Sequence, residues 1–572
     1  MIVDFEAIGG GHLMTKLGLI CVSVAMTNLC HADALVKARL GKTMPVLPQG
    51  KPPAKLLLHL NLLTAPEDER FAPTVLQGLV NREQPRVYIT QDPGWHGPAA
   101  IPKWVEGLRQ KGYVFEDLER PLSLIDKHRQ VIKGVVLYED NLRQDPAALH
   151  KLNALTLYCA LNDAIPVSER LNATLKLPVV LDARGKYSTA AEAYGWAYKE
   201  LWPKANHSVI AFTCPTHIVL RDYLVAHKIL PFWISKEMRK SDDEACWRFV
   251  DEAEANTPLL GCWGGYGEIP AGRVSEPELQ RLTSERGKYI VVTDGCFNLT
   301  VHSGLAFVRP PTRKPQPPPA LDRSKVYVCL NVTDGDNLQY IQQHFRSAQW
   351  WEDPNRGRVP ISWTMNPCAA DLIPDVLEYL LATQTANDEF VCSTAGIGLH
   401  TPALFAKNNY ANYRALYSEY MRITAMGMRR VGLQTIHLGD TSNVPWTKGD
   451  FSEFSASVPG LVGVLGDYAP MQGVYSSTAN FITPGGVPVA RALVAPGHGG
   501  ITEQSAQKFA ASVRAATPGD RPAFMHICLI NWYNSPTVAR QAMNLLGKDY
   551  VPLLPSQFFP LLKTVMEANP KK

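Results

Sequence analysis

The chain has 572 residues, of which 46% are hydrophobic and 19% are charged, and its formal net charge is +4 at pH 7. This length is too great for a single hydrophobic core and indicates three or four domains. The composition excludes a largely disordered chain. Because the charge is nearly balanced and no basic run interleaves with aromatic residues, nucleic acid is not expected as a partner.

The N-terminal segment has the pattern of a secretory signal peptide, which we place at residues 14–34. Lys16 precedes a short apolar run, LGLICVSVAM, and a small-residue site, ADA, follows that run. The run is too short to span a bilayer, so cleavage near Ala34 would leave a secreted or periplasmic protein without a membrane anchor. Met14 is taken as the true start because two acidic residues precede it, and a bacterial source is expected.

The cysteines do not form a recognisable framework. Eleven are present, and 11 − 2 = 9 remain after removal of the signal peptide. No CxxC pair or Cys/His cluster with metal-ligand spacing occurs, so the sequence predicts neither a metal site nor a cofactor. Cys329, Cys392 and Cys528 lie in apolar runs and are interpreted as small hydrophobic residues of strands.

Three α/β units are predicted after the signal peptide, at residues 54–140, 141–228 and 229–308. Apolar runs such as LLLHLNLL, SVIAF, PFWIS and YIVVT alternate with helical runs such as ERFAPTVLQGLVNRE and LHKLNALTLYCALND. Alternation of this kind is typical of α/β layers. The proline-rich segment PPTRKPQPPP then indicates an extended linker at residues 309–323.

The remaining residues, 324–570, are predicted to form a (β/α) TIM-like barrel of seven or eight strands. Seven apolar runs recur with helices between them, at residues 325–332, 360–365, 389–395, 430–438, 461–466, 487–494 and 522–530. A candidate eighth run lies near Val474. An open doubly wound sheet is the alternative, although no GxGxxG follows the first strand.

The first of these runs, KVYVCLNVTDGDN, ends on two carboxylates and an amide. We expect Asp334, Asp336 and Asn337 at the C-terminal end of a buried strand, where α/β barrels carry their functional residues. Burying a carboxylate in such a place costs free energy unless the carboxylate binds a metal, a proton or a polyhydroxylated ligand. The alternative is an Asp-Gly turn with an Asn cap on the next helix.

Polar, glycine or aromatic residues follow most strands of the predicted barrel and would together line one pocket. They are Trp363 and Asn366; Gly396, Gly398 and His400; His437 and Asp440; Asp467 and Tyr468; His498; and His526, Asn531, Trp532 and Tyr533. Carboxylates can act as acid, base or nucleophile on a glycosidic bond, while aromatic faces stack on a sugar ring. A structural role in the core is the alternative for His437 and His526.

The segment GIGLHTP at residues 396–402 resembles the GxGYxYP motif, which names a bacterial family of inferred glycoside hydrolases. The resemblance continues through DGDN, WTMNPCAADLIPDVLEYL, VPVARALV and NWYNSP, and upstream through FAPTVLQGLVNREQPRVYI and DGCFNLTVHSGLA. It implies several N-terminal domains before a glycosidase- or deacetylase-like barrel, with carbohydrate as substrate. Leu399 and Thr401 replace the motif tyrosines, which removes two aromatic faces and two phenols.

Two N-terminal segments add candidates. Glu268 lies in GCWGGYGEIPAG, whose glycines would let a loop fold over the barrel mouth, and a plain surface turn is the alternative. Asp294 and Asn298 in TDGCFNLT mirror the DGDN segment and resemble the family's pattern. We treat both as secondary candidates for substrate binding.

The leading hypothesis is an exported glycoside hydrolase acting on a polysaccharide or oligosaccharide. Two acids separated by one residue do not flank a glycosidic bond, so either Asp334 or Asp336 would pair with an acid from elsewhere. The candidates for that second acid are Asp440, Asp467 and Glu268.

Two alternatives stay open. A metal-dependent carbohydrate deacetylase would use Asp334 or Asp336 with His400 or His526 as ligands, although no HxxxH pair is present. A glycan-binding protein without catalytic activity would fit the loss of the motif tyrosines.

Overall fold

The structure is a computed structural model that describes residues 39–91, 100–262, 269–311, 316–333, 337–393, 395–407, 409–438, 448–466, 480–494, 503–530 and 534–568. Within these residues the chain forms three small parallel α/β sheets followed by one large curled sheet. Among the helices that the structure describes, none combines the length and the apolar character that a membrane span requires.

The first sheet has the order β2-β1-β3 and is parallel throughout. Its strands are β1 (Leu56–Asn61), β2 (Val87–Thr90) and β3 (Val114–Leu118), and its helices are α1 (Phe71–Asn81), α2 (Ile101–Gln110) and α3 (Pro121–Lys127). Helix α1 is buried along its whole length because it is covered by later helices as well as by the sheet.

The second sheet has the order β5-β4-β6. Its strands are β4 (Gly134–Tyr138), β5 (Ala164–Ser168) and β6 (Val179–Asp182), and its helices are α4 (Lys151–Asn162), α5 (Glu169–Leu175) and α6 (Ala190–Trp196). Helix α5 begins where the Ser168 hydroxyl accepts a hydrogen bond from the backbone N–H of Leu171, as in an N-cap.

The third sheet has the order β10-β9-β7-β8. Its strands are β7 (Ile210–Phe212), β8 (Pro231–Phe232), β9 (Pro258–Gly261) and β10 (Tyr289–Val291). Its helices are α7 (Arg221–Ala226), α8 (Glu244–Glu252), α9 (Glu276–Glu285) and α10 (Leu299–His302).

Two strands join a different sheet from the one that the predicted boundaries give them. Strand β4 pairs with β5 and β6, although the boundary at residue 140 groups it with the first unit. Strand β7 pairs with β8 and β9, although the boundary at residue 228 groups it with the second unit. The pattern of alternating elements predicts each strand but carries no information about which sheet the strand enters.

The C-terminal half of the chain forms the large sheet and the helices that pack on it. Its strands are β11 (Val326–Val332), β12 (Ile361–Met365), β13 (Asp388–Cys392), β14 (Thr435–Leu438), β15 (Gly463–Gly466), β16 (Phe481–Ile482), β17 (Pro488–Val494), β18 (Ala523–Leu529) and β19 (Tyr550–Pro552). Its helices are α11 (Leu338–Tyr340), α12 (Ala369–Leu372), α13 (Pro374–Ala382), α14 (Tyr413–Val431), α15 (Lys448–Ala456), α16 (Glu503–Ala516), α17 (Pro536–Leu546) and α18 (Pro555–Ala568).

The strand order is β12-β13-β14-β15-β17-β18-β11-β19, and β11 also pairs with β12 at its C-terminal end. The sheet therefore curls strongly, and all seven apolar runs predicted for a barrel are strands of it. A complete TIM barrel is not confirmed, because β13 and β14 share a single residue pair and β19 occupies part of one side of β11. The candidate eighth strand near Val474 lies outside the described residues.

One hydrophobic core connects the curled sheet with the small sheets. It includes Leu57 of the first sheet, Leu260 and Tyr289 of the third, and Val328 and Ile361 of the curled sheet, all fully or almost fully buried. The described part of the predicted linker, residues 309–311 and 316–323, contains neither helix nor strand.

Candidate active site

The two faces of the curled sheet differ in what they pack against. Val328 and Leu330 of β11 alternate with Tyr327 and Cys329, and the two sets belong to different hydrophobic clusters. The cluster of Tyr327 and Cys329 also contains residues from β13, β15, β17 and β18 together with α18, so it fills the inside of the curl. Helix α18 comes so close that a Cβ on Gly463 would lie 2.2 Å from the Phe559 ring.

The inside of the curl becomes polar toward the C-terminal ends of the strands. Asn331 and Ser362 lie there side by side, and the Ser362 hydroxyl donates to Asn331 Oδ1 at 2.9 Å. Asn331 Nδ2, Thr333 Oγ1 and Ser393 Oγ are buried and have no hydrogen-bond partner in the part of the chain that the structure describes. A buried polar group without a hydrogen bond costs free energy, so these atoms are expected to bind a ligand or water. We call Asn331, Thr333, Ser362, Ser393, His437, His526 and Cys528 the inner polar layer.

Two histidines and a cysteine of the inner polar layer lie in contact. Cys528 Sγ is 3.8 Å from His437 Nε2 and 3.7 Å from His526 Nε2. Burial lowers the pKa of His437 to about 4, and burial together with the neighbouring His437 lowers the pKa of His526 well below its ordinary value. Both imidazoles are therefore neutral at pH 7, which is the form in which a histidine coordinates a cation.

The predicted acids and several predicted ligands for a sugar lie outside the described residues. They are Glu268, Asp334, Asp336, Asp440, Asp467, Tyr468, His498, Asn531, Trp532 and Tyr533. The strands that precede many of them in the chain are described, and β11, β14, β15 and β18 belong to one parallel set. The C-terminal ends of these four strands therefore lie at one edge of the sheet, next to the inner polar layer.

A turn of the third sheet docks on the start of α11, just beyond this edge. Val292 forms a parallel bridge with Asn337, and the backbone N–H of Gly295 donates to Gln339 Oε1. Asp294, in the same turn, is half-buried. The structure thus brings the TDG segment next to Asn337, although Asp294 and Asn337 are 43 positions apart in the chain.

Asn337 itself has a capping role. Its side-chain oxygen accepts a hydrogen bond from the backbone N–H of Tyr340 at 2.9 Å, at the first turn of α11. This matches the alternative reading of the DGDN segment as a helix start. The Asn337 Nδ2 group remains the part of this side chain that a substrate could contact.

Asn298 does not face the edge of the curled sheet. Its side chain accepts from the backbone N–H of Ile89 at 2.8 Å and donates to the Ile89 carbonyl at 2.8 Å, and it also accepts from Gln77 Nε2 at 2.6 Å. The residue is buried and joins the third sheet to the first. Its position assigns it a structural role in place of the predicted substrate contact.

Trp363 and Asn366 have local partners as well. Trp363 is fully buried on the outer face of β12 against Trp350 and Trp351, and its indole N–H donates to Asp388 Oδ1 at 2.9 Å. Asn366 follows β12, and its Oδ1 accepts from the backbone N–H of Cys368 at 2.8 Å. Trp363 is therefore a packing residue, whereas Asn366 Nδ2 is buried without a partner among the described residues.

The motif segment at 396–402 forms a joint between the curled sheet and the third sheet. Leu399 and Ile290 exchange backbone hydrogen bonds of 2.8 and 2.9 Å. A Cβ on Gly398 would lie 2.5 Å from Tyr289 Cδ2 and 2.6 Å from the Ile290 carbonyl oxygen. Gly396 has φ +118°, and a Cβ there would lie 2.5 Å from Thr424 Oγ1. Close packing requires both glycines, whereas their position after a strand predicted that they line the substrate pocket.

His400 is enclosed by aromatic side chains in this joint. Its ring centroid lies 4.2 Å from that of Tyr420 and 5.5 Å from that of Phe405. Burial lowers the pKa of His400 to about 3, although the Gly398 carbonyl opposes that shift. The His400 imidazole therefore packs among aromatic rings and does not belong to the inner polar layer.

Cys528 and Asn331 are the candidate functional residues that sequence reasoning missed. Both lie within apolar runs, where a cysteine reads as a small hydrophobe and a single asparagine carries no motif. The alternation of faces along β18 could have grouped Cys528 with His526, and the same alternation along β11 places Asn331 on the face of Tyr327 and Cys329.

Three sequence models of one family match the chain. The model described as "GxGYxYP putative glycoside hydrolase C-terminal domain" matches residues 324–563. The models of the family's second and third N-terminal domains match residues 132–205 and 207–304. A search among proteins of curated function found no match.

The chain is also similar to a solved structure. That structure is the crystal structure of a putative hydrolase from Bacteroides thetaiotaomicron VPI-5482, with a TM-score of 0.73 and 17% sequence identity over 93% of this chain and 99% of the other. At this identity the likeness concerns the fold. Because the three matched regions together span more than half of the sequence, the chain belongs to the GxGYxYP family.

Proposed function

We propose that the protein is a glycoside hydrolase that cleaves a polysaccharide or oligosaccharide by carboxylate acid/base chemistry. The observation that carries this proposal is the inner polar layer, which lies directly below the edge where β11, β14 and β15 end. In the chain, Asp334, Asp440 and Asp467 follow these three strands within two residues. The family's description as glycoside hydrolases supports the reaction class.

One carboxylate of the pair is Asp334 or Asp336, and the second comes from Asp440, Asp467 or Glu268. In a retaining enzyme the two carboxyl groups would be about 5 Å apart, and in an inverting enzyme roughly 6.5–9.5 Å apart. The acid protonates the leaving oxygen, while the second carboxylate attacks the anomeric carbon or activates a water.

The proposal also concerns binding and location. Asp294, Asn337 and Asn366 would hydrogen-bond the sugar, together with residues that follow the strands in sequence, which are Tyr468, Asn531, Trp532 and Tyr533. Aromatic rings among them would stack on the pyranose. We further propose that the curled sheet functions as a TIM-like barrel, and that the signal peptide at 14–34 directs the protein to the periplasm or the exterior.

Release of reducing sugar from a panel of bacterial and plant polysaccharides tests the reaction. The mature chain from Leu35 is compared with Asp334→Asn and Asp336→Asn. We expect release by the wild type on at least one polysaccharide and its loss in one or both variants, since an amide can neither attack nor donate a proton as the carboxyl group does.

A glycan pull-down of the same three proteins separates catalysis from binding. Retained binding with lost release is the expected result for a catalytic carboxylate. Binding by all three proteins without release from any polysaccharide would contradict the hydrolase and favour a glycan-binding protein.

A further inference from the structure

His437, His526 and Cys528 have the composition of a transition-metal site. His526 and Cys528 are two residues apart on β18 and therefore share its inner face, and His437 reaches the same place from β14. One ligand atom from each residue can be chosen so that all three lie within 4.8 Å of one another. All three residues are buried.

The distances within this group fit a small tetrahedral ion. A Zn–S bond of about 2.3 Å and Zn–N bonds of about 2.0–2.1 Å at tetrahedral angles place sulfur and nitrogen about 3.6 Å apart. The observed Sγ···Nε2 separations are 3.7 and 3.8 Å. A nitrogen of one histidine lies within 4.8 Å of a nitrogen of the other, whereas a tetrahedral site requires about 3.3 Å, so side-chain rotation would bring the three donors to a common point.

The donor set of this group indicates which metal it would take. His526 Nδ1 is buried and has no hydrogen-bond partner in the part of the chain that the structure describes, so no hydrogen bond there competes for this nitrogen. A thiolate with two imidazoles suits Zn²⁺ better than the oxygen-seeking Mg²⁺ or Ca²⁺.

We propose that His437, His526 and Cys528 bind a Zn²⁺ ion inside the curled sheet. Three protein ligands leave a fourth position for water or substrate, as in catalytic zinc sites. Asn331 pairs in register with Cys528, and its Nδ2 group lacks a partner among the described residues, so it can donate a hydrogen bond to an oxygen at that position. The site lies within the inner polar layer, but its donor geometry does not depend on the proposed carboxylate chemistry.

Zinc content measured by mass spectrometry tests the site. The full chain is stripped with a chelator, reloaded with Zn²⁺ and freed of excess metal. We expect one zinc ion per chain in the wild type. Changes to outer partners of metal ligands already weaken affinity by about 10–100-fold, so Cys528→Ala should reduce bound zinc at least tenfold.

Cys329→Ala is the matched control, because Cys329 is also a buried cysteine on the inner face and lies in register with His526 on the neighbouring strand. It should keep its zinc. Equal zinc in Cys528→Ala and the control would overturn the proposal, and so would a wild type that retains none.

Substitution of Co²⁺ for Zn²⁺ in the wild type is a second test of the site. It uses no variant, so misfolding of a variant cannot affect the result. We expect the ultraviolet charge-transfer band of a thiolate bound to Co²⁺ and the visible bands of tetrahedral Co²⁺. Absence of the thiolate band would overturn the site. Neither readout depends on sugar release, so failure of the metal site and failure of the hydrolase proposal are separate results.

Discussion

Gly398 is the residue whose size matters most for the motif segment. A Cβ there would meet the Tyr289 ring and the Ile290 carbonyl at 2.5–2.6 Å, and backbone cannot move aside as a flexible side chain can. We expect Gly398→Ala to lower the free energy of unfolding by about 1–3 kcal/mol, as overpacking does. Urea denaturation measures this. Gly519→Ala, where a Cβ meets nothing within 4 Å, should stay close to the wild type.

His400 makes stability depend on pH. Its pKa is about 3 in the folded chain because of burial, whereas an unfolded histidine has a pKa of about 6.5. The unfolded chain therefore binds a proton first as the pH falls. The stability that the neutral His400 provides is complete above pH 6.5 and is lost progressively toward pH 3.

His400→Phe removes this titration while keeping an aromatic ring among Phe405 and Tyr420. The wild type should lose about 1.4 kcal/mol per pH unit relative to the variant below pH 6.5. Urea titrations at pH 7.5 and 5.0 should thus show a shift of ~2 kcal/mol in the difference between the two proteins. A constant difference across this range would show that the folded and the unfolded chain protonate His400 alike, which would contradict the lowered pKa.

At the scale of single elements, α14 anchors the motif segment through Tyr420. The Tyr420 hydroxyl lies 2.9 Å from the Ala395 carbonyl oxygen and 2.7 Å from the Gly398 carbonyl oxygen. Tyr420→Phe removes this buried donor and leaves the two carbonyl oxygens with fewer partners. We therefore expect it to lower the free energy of unfolding by about 1–2 kcal/mol.

Tyr413→Phe is the matched control for Tyr420→Phe, since it lies at the partly exposed start of the same helix. Thermal or urea unfolding of both variants should leave Tyr413→Phe within about 0.5 kcal/mol of the wild type. Equal effects of the two changes would mean that the Tyr420 hydroxyl does not anchor the segment.

At the scale of the whole molecule, the small sheets and the curled sheet share a core and buried polar links. His302 at the end of α10 lies 2.8 Å from Asp375 of α13, and both are buried. Burial raises the pKa of the Asp375 carboxyl, but the contact with His302 outweighs this and lowers it overall. The N-terminal region and the curled sheet should therefore unfold together.

Calorimetry tests this cooperativity. We expect one main transition for residues 35–572, and Asp375→Asn should move that transition as a whole to lower temperature. Weakening a buried hydrogen bond to a carboxylate typically costs about 1.5–3 kcal/mol. Two separate transitions, with only one affected by Asp375→Asn, would show that the regions are energetically independent.

Sequence patterns predicted the strands and helices, because these depend on residues that are neighbours in the chain. The seven apolar runs of 324–570 are strands because buried parallel strands read as continuous hydrophobic segments. Contacts between distant segments had no such signal. His437 and Cys528 lie 91 residues apart, and Gly398 owes its identity to Tyr289 and Ile290 in another sheet. For the same reason the sequence predicts Asn298 as a substrate-binding residue, whereas in the structure its side chain joins the third sheet to the first.

The turnover of Asp334→Asn relative to Asp322→Asn is the most direct test of the proposed function. Asp322 precedes β11, at the opposite end of the strand from Asp334, and is matched in charge. On the polysaccharide that the wild type cleaves best, kcat should fall about 10²–10⁴-fold in Asp334→Asn and stay within a few-fold in Asp322→Asn. Equal, small effects of both changes would contradict a catalytic carboxylate at the end of β11.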